Sequence, residues 1–153
     1  MPADLTARNI RTTDQYLELI AKAIFASGFS WAVVESRWPD LRPEFDRFSA
    51  TQLALMGDVD IERLCTSPGV ISNQRKISAV IEAARFLLDR KAEFGSVGRW
   101  LDGAGNFHER QKALRRMRFI GPFGSYFVLS VAGHQVPDYE RWREEYAPYE
   151  RTG

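Results

Sequence analysis

Arg118-Phe119-Ile120-Gly121-Pro122-Phe123-Gly124, an apolar run to Ala132, and then Gln135-Val136-Pro137-Asp138-Tyr139 form the stretch on which the reading of this chain turns. Gly121 suits a tight turn, and Pro122 suits the first position of a following helix, where its fixed φ fits and its missing N–H is not needed. A helix entered this way presents bare backbone N–H groups and the positive end of its dipole, a setting in which a phosphate can sit. The plain alternative is an ordinary connection between two helices, common in all-helical domains. About four turns of helix beyond Pro122, the chain reaches Asp138, a carboxylate that such a helix could carry back toward whatever the turn holds.

The chain has 153 residues, 44% of them hydrophobic and 27% charged, which suits one domain with a sizeable core spanning residues 1–153. With 21 basic and 20 acidic side chains, a wholesale attraction to nucleic acid is excluded, and any such affinity must come from a local patch. Cys65 is the only cysteine and His108 and His134 the only histidines, so an intramolecular disulfide is excluded and a Cys/His zinc site is not expected. A reducing, cytoplasmic setting fits. The most apolar stretches, Leu17 to Val34 and Phe123 to Ala132, are too short or interrupted to cross a bilayer, and no leader pattern follows Met1.

Working outward, the periodicity is helical nearly throughout. Thr12 with Gln15 reads as a capping box for a helix that ends before Gly28. A second helix opens at Ser30, with Pro39 starting a new turn and Phe45 and Phe48 in another short piece. Ser49 caps Thr51 to Met56, and Asp58, as N-cap, opens a helix to Cys65. The longest helix runs from Asn73 to about Glu93 and is closed by Gly95. Ser96 to Leu101, a basic His108 to Arg116, Pro122 to Ala132 and Asp138 to about Tyr149 complete an all-α fold with short connections, a compact multi-helix domain.

Two further groupings bear on chemistry. Arg110, Lys112, Arg115, Arg116 and Arg118 lie close together in sequence and form the concentrated positive patch of a nearly neutral chain; a solvated basic face is the alternative. Arg75 and Lys76 are weaker candidates for the same contact. Phe29, Trp31 and Trp38 are either core aromatics or the walls of a pocket.

The order and spacing of Ala23 to Trp38 (AIFASGFSWAVVESRW), the Phe45 to Phe48 helix and Pro68-Gly69-Val70-Ile71-Ser72-Asn73-Gln74-Arg75-Lys76-Ile77 resemble the 3-methyladenine DNA glycosylase I family, within the helix-hairpin-helix superfamily, across roughly residues 16 to 139. The resemblance implies an all-helical, helix-hairpin-helix enzyme that flips a damaged base from duplex DNA and hydrolyses its N-glycosidic bond. Trp31, with Phe29 and Trp38, would form the base pocket, where an electron-poor alkylated purine gains about 0.5 to 2 kcal/mol from the indole face. Arg115, Arg116, Arg118, Ile120, Gly121, Gly124 and Ser125 would contact DNA. The expected partner is duplex DNA containing a damaged base, bound by a monomer without membrane, cofactor or metal.

Departures from the family are equally informative. Where the resemblance implies a pocket glutamate, eight residues before Trp31, stands Ala23. Glu18 projects about 140° away around the helix and is a poor substitute, while Glu35 lies one turn beyond Trp31. The family's zinc ligands are missing at both ends. Asp138 is then the candidate catalytic carboxylate, by likeness to other superfamily members, with N-cap of the last helix as its alternative role. Loss of catalysis with retained DNA or partner binding is the second functional reading.

Overall fold

The computed structural model describes residues 1–150, with side chains through Tyr146. Among these residues there are helices and turns but no strand, and no helix is long and apolar enough to cross a membrane. Nine α-helices follow one another: α1 (Thr13–Ala26), α2 (Trp31–Glu44), α3 (Ala50–Ala54), α4 (Asp58–Thr66), α5 (Gln74–Phe94), α6 (Val97–Ala104), α7 (Phe107–Leu114), α8 (Pro122–Val131) and α9 (Tyr139–Glu150).

The core is organised around α1. Tyr16, Leu17, Ile20, Ala23, Ile24 and Phe25 are all buried there, so the helix is apolar on more than one side. A helix with that pattern must be enclosed, and α5, α8, α2 and α3 do the enclosing. Its start is the expected capping box, Thr12 with Gln15. α5 places Ile77, Val80, Ile81, Ala84 and Leu87 on one buried face and ends where Gly95 takes φ +91°, a conformation that suits glycine.

Two expectations about helix limits are corrected. α2 does not break at Pro39 but runs through Pro39 and Pro43 to Glu44. Both prolines are on the exposed side, so the carbonyls they leave unbonded face water, while Val34, Trp38 and Leu41 hold the opposite face on the core. The N-cap of α4 is Gly57 rather than Asp58; Asp60 reaches back to accept from the Gly57 N–H at 3.0 Å.

The link from α2 to α3 is a 3-10 turn in which Asp46, Arg47 and Phe48 all have positive φ, at 49°, 52° and 59°. Such a backbone is strained for side-chain-bearing residues. What holds it is Phe48, fully buried and stacked on Phe45 at 5.5 Å and on Trp38 at 5.0 Å. Trp38 is therefore a core residue, its indole N–H donated to Glu18 at 2.9 Å, and the expectation that it lines a pocket is corrected. The stack's burial of three aromatics explains why the strained turn persists.

Candidate functional site

α8 crosses α1 at its N-terminal end, and the chain leading into it makes the hairpin. The left-handed residue of that hairpin is Phe119, at φ +66°, whereas Gly121 is extended with φ −102° and serves as N-cap. The turn thus does not depend on Gly121's conformational freedom; what Gly121 gives is an uncovered backbone. Pro122 occupies the first helical position and no side chain caps the helix. Its first intrahelical bond runs from Ser125 N–H to Gly121 O, which leaves the N–H groups of Phe123 and Gly124 without an intrahelical acceptor.

The hairpin is braced from beneath. Gln111, buried on α7, donates from Nε2 to Pro122 O and to Ser125 Oγ, both at 3.1 Å, and Ser125 Oγ donates to Pro122 O. Ser125 is fully buried and Ile120 nearly so, so the side chains of these expected DNA contacts are part of the packing and cannot reach a ligand. Gln111 was missed in the sequence; its position, opposite Ser125 across the hairpin, is visible only in the fold.

A cleft of about 930 Å³ opens beside this turn. One wall is the end of α1 with the loop after it, namely Ala23, Ala26, Ser27, Gly28, Phe29 and Trp31; another is Phe119 and Gly121 to Gly124. Pro2, Ala3 and Leu5 of the N-terminal arm and Tyr139, Glu140 and Arg143 of α9 close the rest. The arm is fastened along α8 by Arg8 N–H to Val131 O at 2.7 Å and by Ser130 Oγ to Leu5 O at 2.8 Å. Trp31 is half-buried, its ring 4.9 Å from that of Phe127, while Phe29 stands 48% exposed at the margin.

Asp138 does not line the cleft. It is exposed and caps α9, accepting from Arg141 N–H at 3.2 Å. Glu140 is the acidic side chain that lines it, 3.8 Å from Arg143 in an exposed pair. Neither was singled out in the sequence, yet Tyr139, Trp142 and Tyr146 recur at helical spacing, which marks the buried seam and fixes the side on which Glu140 and Arg143 lie. That seam seats α9: Trp142 stacks on Tyr126 at 4.7 Å and meets Phe123 edge-on at 5.2 Å. The Tyr126 hydroxyl donates to Pro137 O, and burial, chiefly, raises its pKa.

The segment before Asp138 is anchored by a part-buried polar chain that ends on the exposed Asp102. His134 Nδ1 lies 3.2 Å from Asp102 Oδ1 and its Nε2 2.9 Å from the Tyr16 hydroxyl. With Nδ1–H donated to the carboxylate, Nε2 accepts from Tyr16. Burial lowers the His134 pKa, Asp102 opposing it, and burial pushes Tyr16 up to about 12.

The basic patch divides. Arg110 donates to Leu101 O and lies 3.8 Å from Asp102; Arg118 makes a two-point pair with Glu82 at 2.8 and 3.1 Å. Lys112, Arg115 and Arg116, with His108, line a separate recess of about 610 Å³. Glu35 and Glu18 do not line the cleft, Glu18 being held by Trp38 and Arg42. Among the described residues no three His, Cys, Asp or Glu side chains group as a metal site.

With this geometry in view, residues 7–122 match the sequence model of the methyladenine glycosylase family. Over 62 residues the chain is 36% identical to DNA-3-methyladenine glycosylase 1 of Escherichia coli (strain K12), a match spanning 40% of this chain and 33% of that protein. It superposes on 3-methyladenine DNA glycosylase I from Staphylococcus aureus with a TM-score of 0.75 at 21% identity, covering 84% of this chain and 80% of that one. A 3-methyladenine DNA glycosylase I variant in complex with 3-methyladenine gives a TM-score of 0.74 at 20% identity, over 84% and 81% of the chains. At these identities the structural likeness speaks for the fold.

Proposed function

The chain belongs to the methyladenine glycosylase family, and from that premise we propose that it is a monomeric DNA glycosylase that releases alkylated purines from duplex DNA. The observation that carries this reading is the cleft in which Trp31 faces a helix N-terminus with uncapped N–H groups. An aromatic wall beside a phosphate seat is what a flipped nucleotide needs, since its base and its backbone must be held at once.

A purine methylated at N3 or N7 carries positive charge, so the indole face of Trp31 favours it over a normal base by about 0.5 to 2 kcal/mol. The same charge makes the base a good leaving group. Breaking the N-glycosidic bond then moves positive charge onto the sugar, and an ionised carboxylate nearby stabilises that charge and orients the attacking water. We assign this role to the Asp138 to Glu140 segment. Asp138 is the sequence candidate, and Glu140 lines the cleft. Lys112, Arg115 and Arg116 add phosphate contacts that hold the duplex without reading its sequence.

Base release from methylated duplex by Asp138→Asn and by Glu140→Gln tests the assignment. A fall of about a hundredfold, on the order of 2.7 kcal/mol of transition-state stabilisation, is expected for whichever carboxylate acts. Full rates in both variants would remove the segment from the mechanism. One observation favours a second reading, an inert DNA-binding protein: the cleft wall carries Ala23 where the family resemblance implies an acid. Unaltered duplex binding without any release by the wild-type chain would establish it.

A further inference from the structure

Lys76 is in the first turn of α5 and only 7% exposed. Both facts run against its charge: a cation at that end opposes the helix dipole, and burial strips its water. Its ammonium turns away from α5. Nζ donates to Phe25 O at 2.8 Å and to Ser27 O at 2.6 Å, and lies 5.6 Å from the centre of the Phe29 ring.

Those carbonyls belong to the unsatisfied set that every helix leaves at its C-terminus. At the end of α1, Ile24 O takes the Ser27 N–H and Ala26 O takes the Phe29 N–H; Lys76 takes the two between and beyond. What is fixed by this arrangement is Ser27-Gly28-Phe29, with Gly28 at φ +64°, and all three line the cleft. Nearly half of Phe29's surface faces water. Exposed apolar side chains at such a margin are suited to enter a base step and unstack it.

We propose that Lys76 is a positioning residue that holds Phe29 at the mouth of the cleft, set to occupy the base stack as a nucleotide leaves it. The assignment rests on the reading of the cleft as the site of the flipped base. Lys76 does not touch the base or the reacting bond; it acts through the loop and the ring.

Single-turnover release of 3-methyladenine from two substrates tests it, one with the lesion fully paired and one with the lesion in an unpaired bulge. A bulged base needs no help to leave the stack. Lys76→Met is expected to slow release from the paired duplex about tenfold or more and from the bulge about twofold or less. Phe29→Ala should show the same selectivity, and the double variant should be no slower than Phe29→Ala alone, because both act through one ring. Lys76→Arg, which keeps charge and donors, should recover most of the loss.

Equal slowing on both substrates, or additive losses in the double variant, would overturn the proposal. If Lys76→Met does not fold by circular dichroism, Lys76→Arg and Phe29→Ala decide: wild-type selectivity in Phe29→Ala overturns the assignment. Wild-type kinetics on both substrates in a folded Lys76→Met variant would likewise overturn it. Absence of release from either substrate by the wild-type chain defeats the glycosylase reading and this proposal with it.

Discussion

Ala23 and Gly124 meet where α1 crosses α8, so closely that a Cβ on Gly124 would come within 3.2 Å of the Ala23 Cβ. Both line the cleft, and both are buried. Two small residues in register let the helices approach, which brings the α8 N-terminus to the aromatic wall. Gly124→Ala should force the helices to separate by a few tenths of an ångström and lower stability by about 1 kcal/mol, the overpacking term exceeding the gain in helix propensity. Thermal unfolding measures it; an unchanged or raised melting temperature would show that the crossing has slack.

Trp31 carries the recognition of charge. Trp31→Ala should slow single-turnover release of 3-methyladenine from methylated duplex, where the base is still cationic, about tenfold, a loss of about 1.4 kcal/mol, while leaving the affinity for undamaged duplex within about twofold. Quantifying the released base reports the first quantity and anisotropy of a labelled duplex the second. Parallel losses in both would mean that Trp31 acts on the fold.

The basic side chains divide by partner. Lys112→Ala/Arg115→Ala/Arg116→Ala should flatten the dependence of duplex affinity on salt by about 0.9 for each phosphate contact removed. Arg118→Ala should do less, because that guanidinium is paired with Glu82, although an exposed pair of this kind is worth under about 1 kcal/mol and can be exchanged. A salt slope unchanged in the triple variant would place the DNA elsewhere.

His134 gives a pH dependence with a definite sign. Its pKa in the folded chain is lowered, mainly by burial, from the ordinary value of 6.5. Between the folded value and 6.5 the unfolded chain binds more protons than the folded one, so stability rises with pH there. The contribution is complete above the ordinary value and is lost as pH falls toward the folded one. Melting temperature should therefore drop on acidification from pH 7 in the wild type and less steeply in His134→Gln. Tyr16→Phe, which leaves buried Nε2 without a donor, should destabilise by about 1 to 3 kcal/mol at pH 7.

Much of the fold was legible because its signals are local. Thr12 with Gln15, Ser30, Ser49, Asn73 and Gly95 mark helix ends through backbone groups only a few residues away. The two prolines of α2 misled because whether a freed carbonyl is a penalty depends on the side it faces, and that is a tertiary fact. Trp31 and Trp38 could not be told apart by periodicity: seven residues apart, they share nearly the same helix face and differ by about 10 Å along it. One reaches the cleft and the other the Phe48 stack. Asp138 and Glu140 differ for the converse reason, since neighbours on a helix point about 100° apart per residue and only the seating of Trp142 decides which one meets the cleft. The arm residues Pro2 and Leu5 carry no local signal for the cleft; the arm is held beside it through bonds from Leu5 and Arg8 to α8, more than a hundred residues away.

The most direct measurement is the identity of the small product when the wild-type chain is incubated with methylated duplex DNA, separated by chromatography and read by mass. Free 3-methyladenine in solution, with an abasic site left in an otherwise intact strand, is the predicted result. Full binding of the duplex with every methylated base still attached would contradict it.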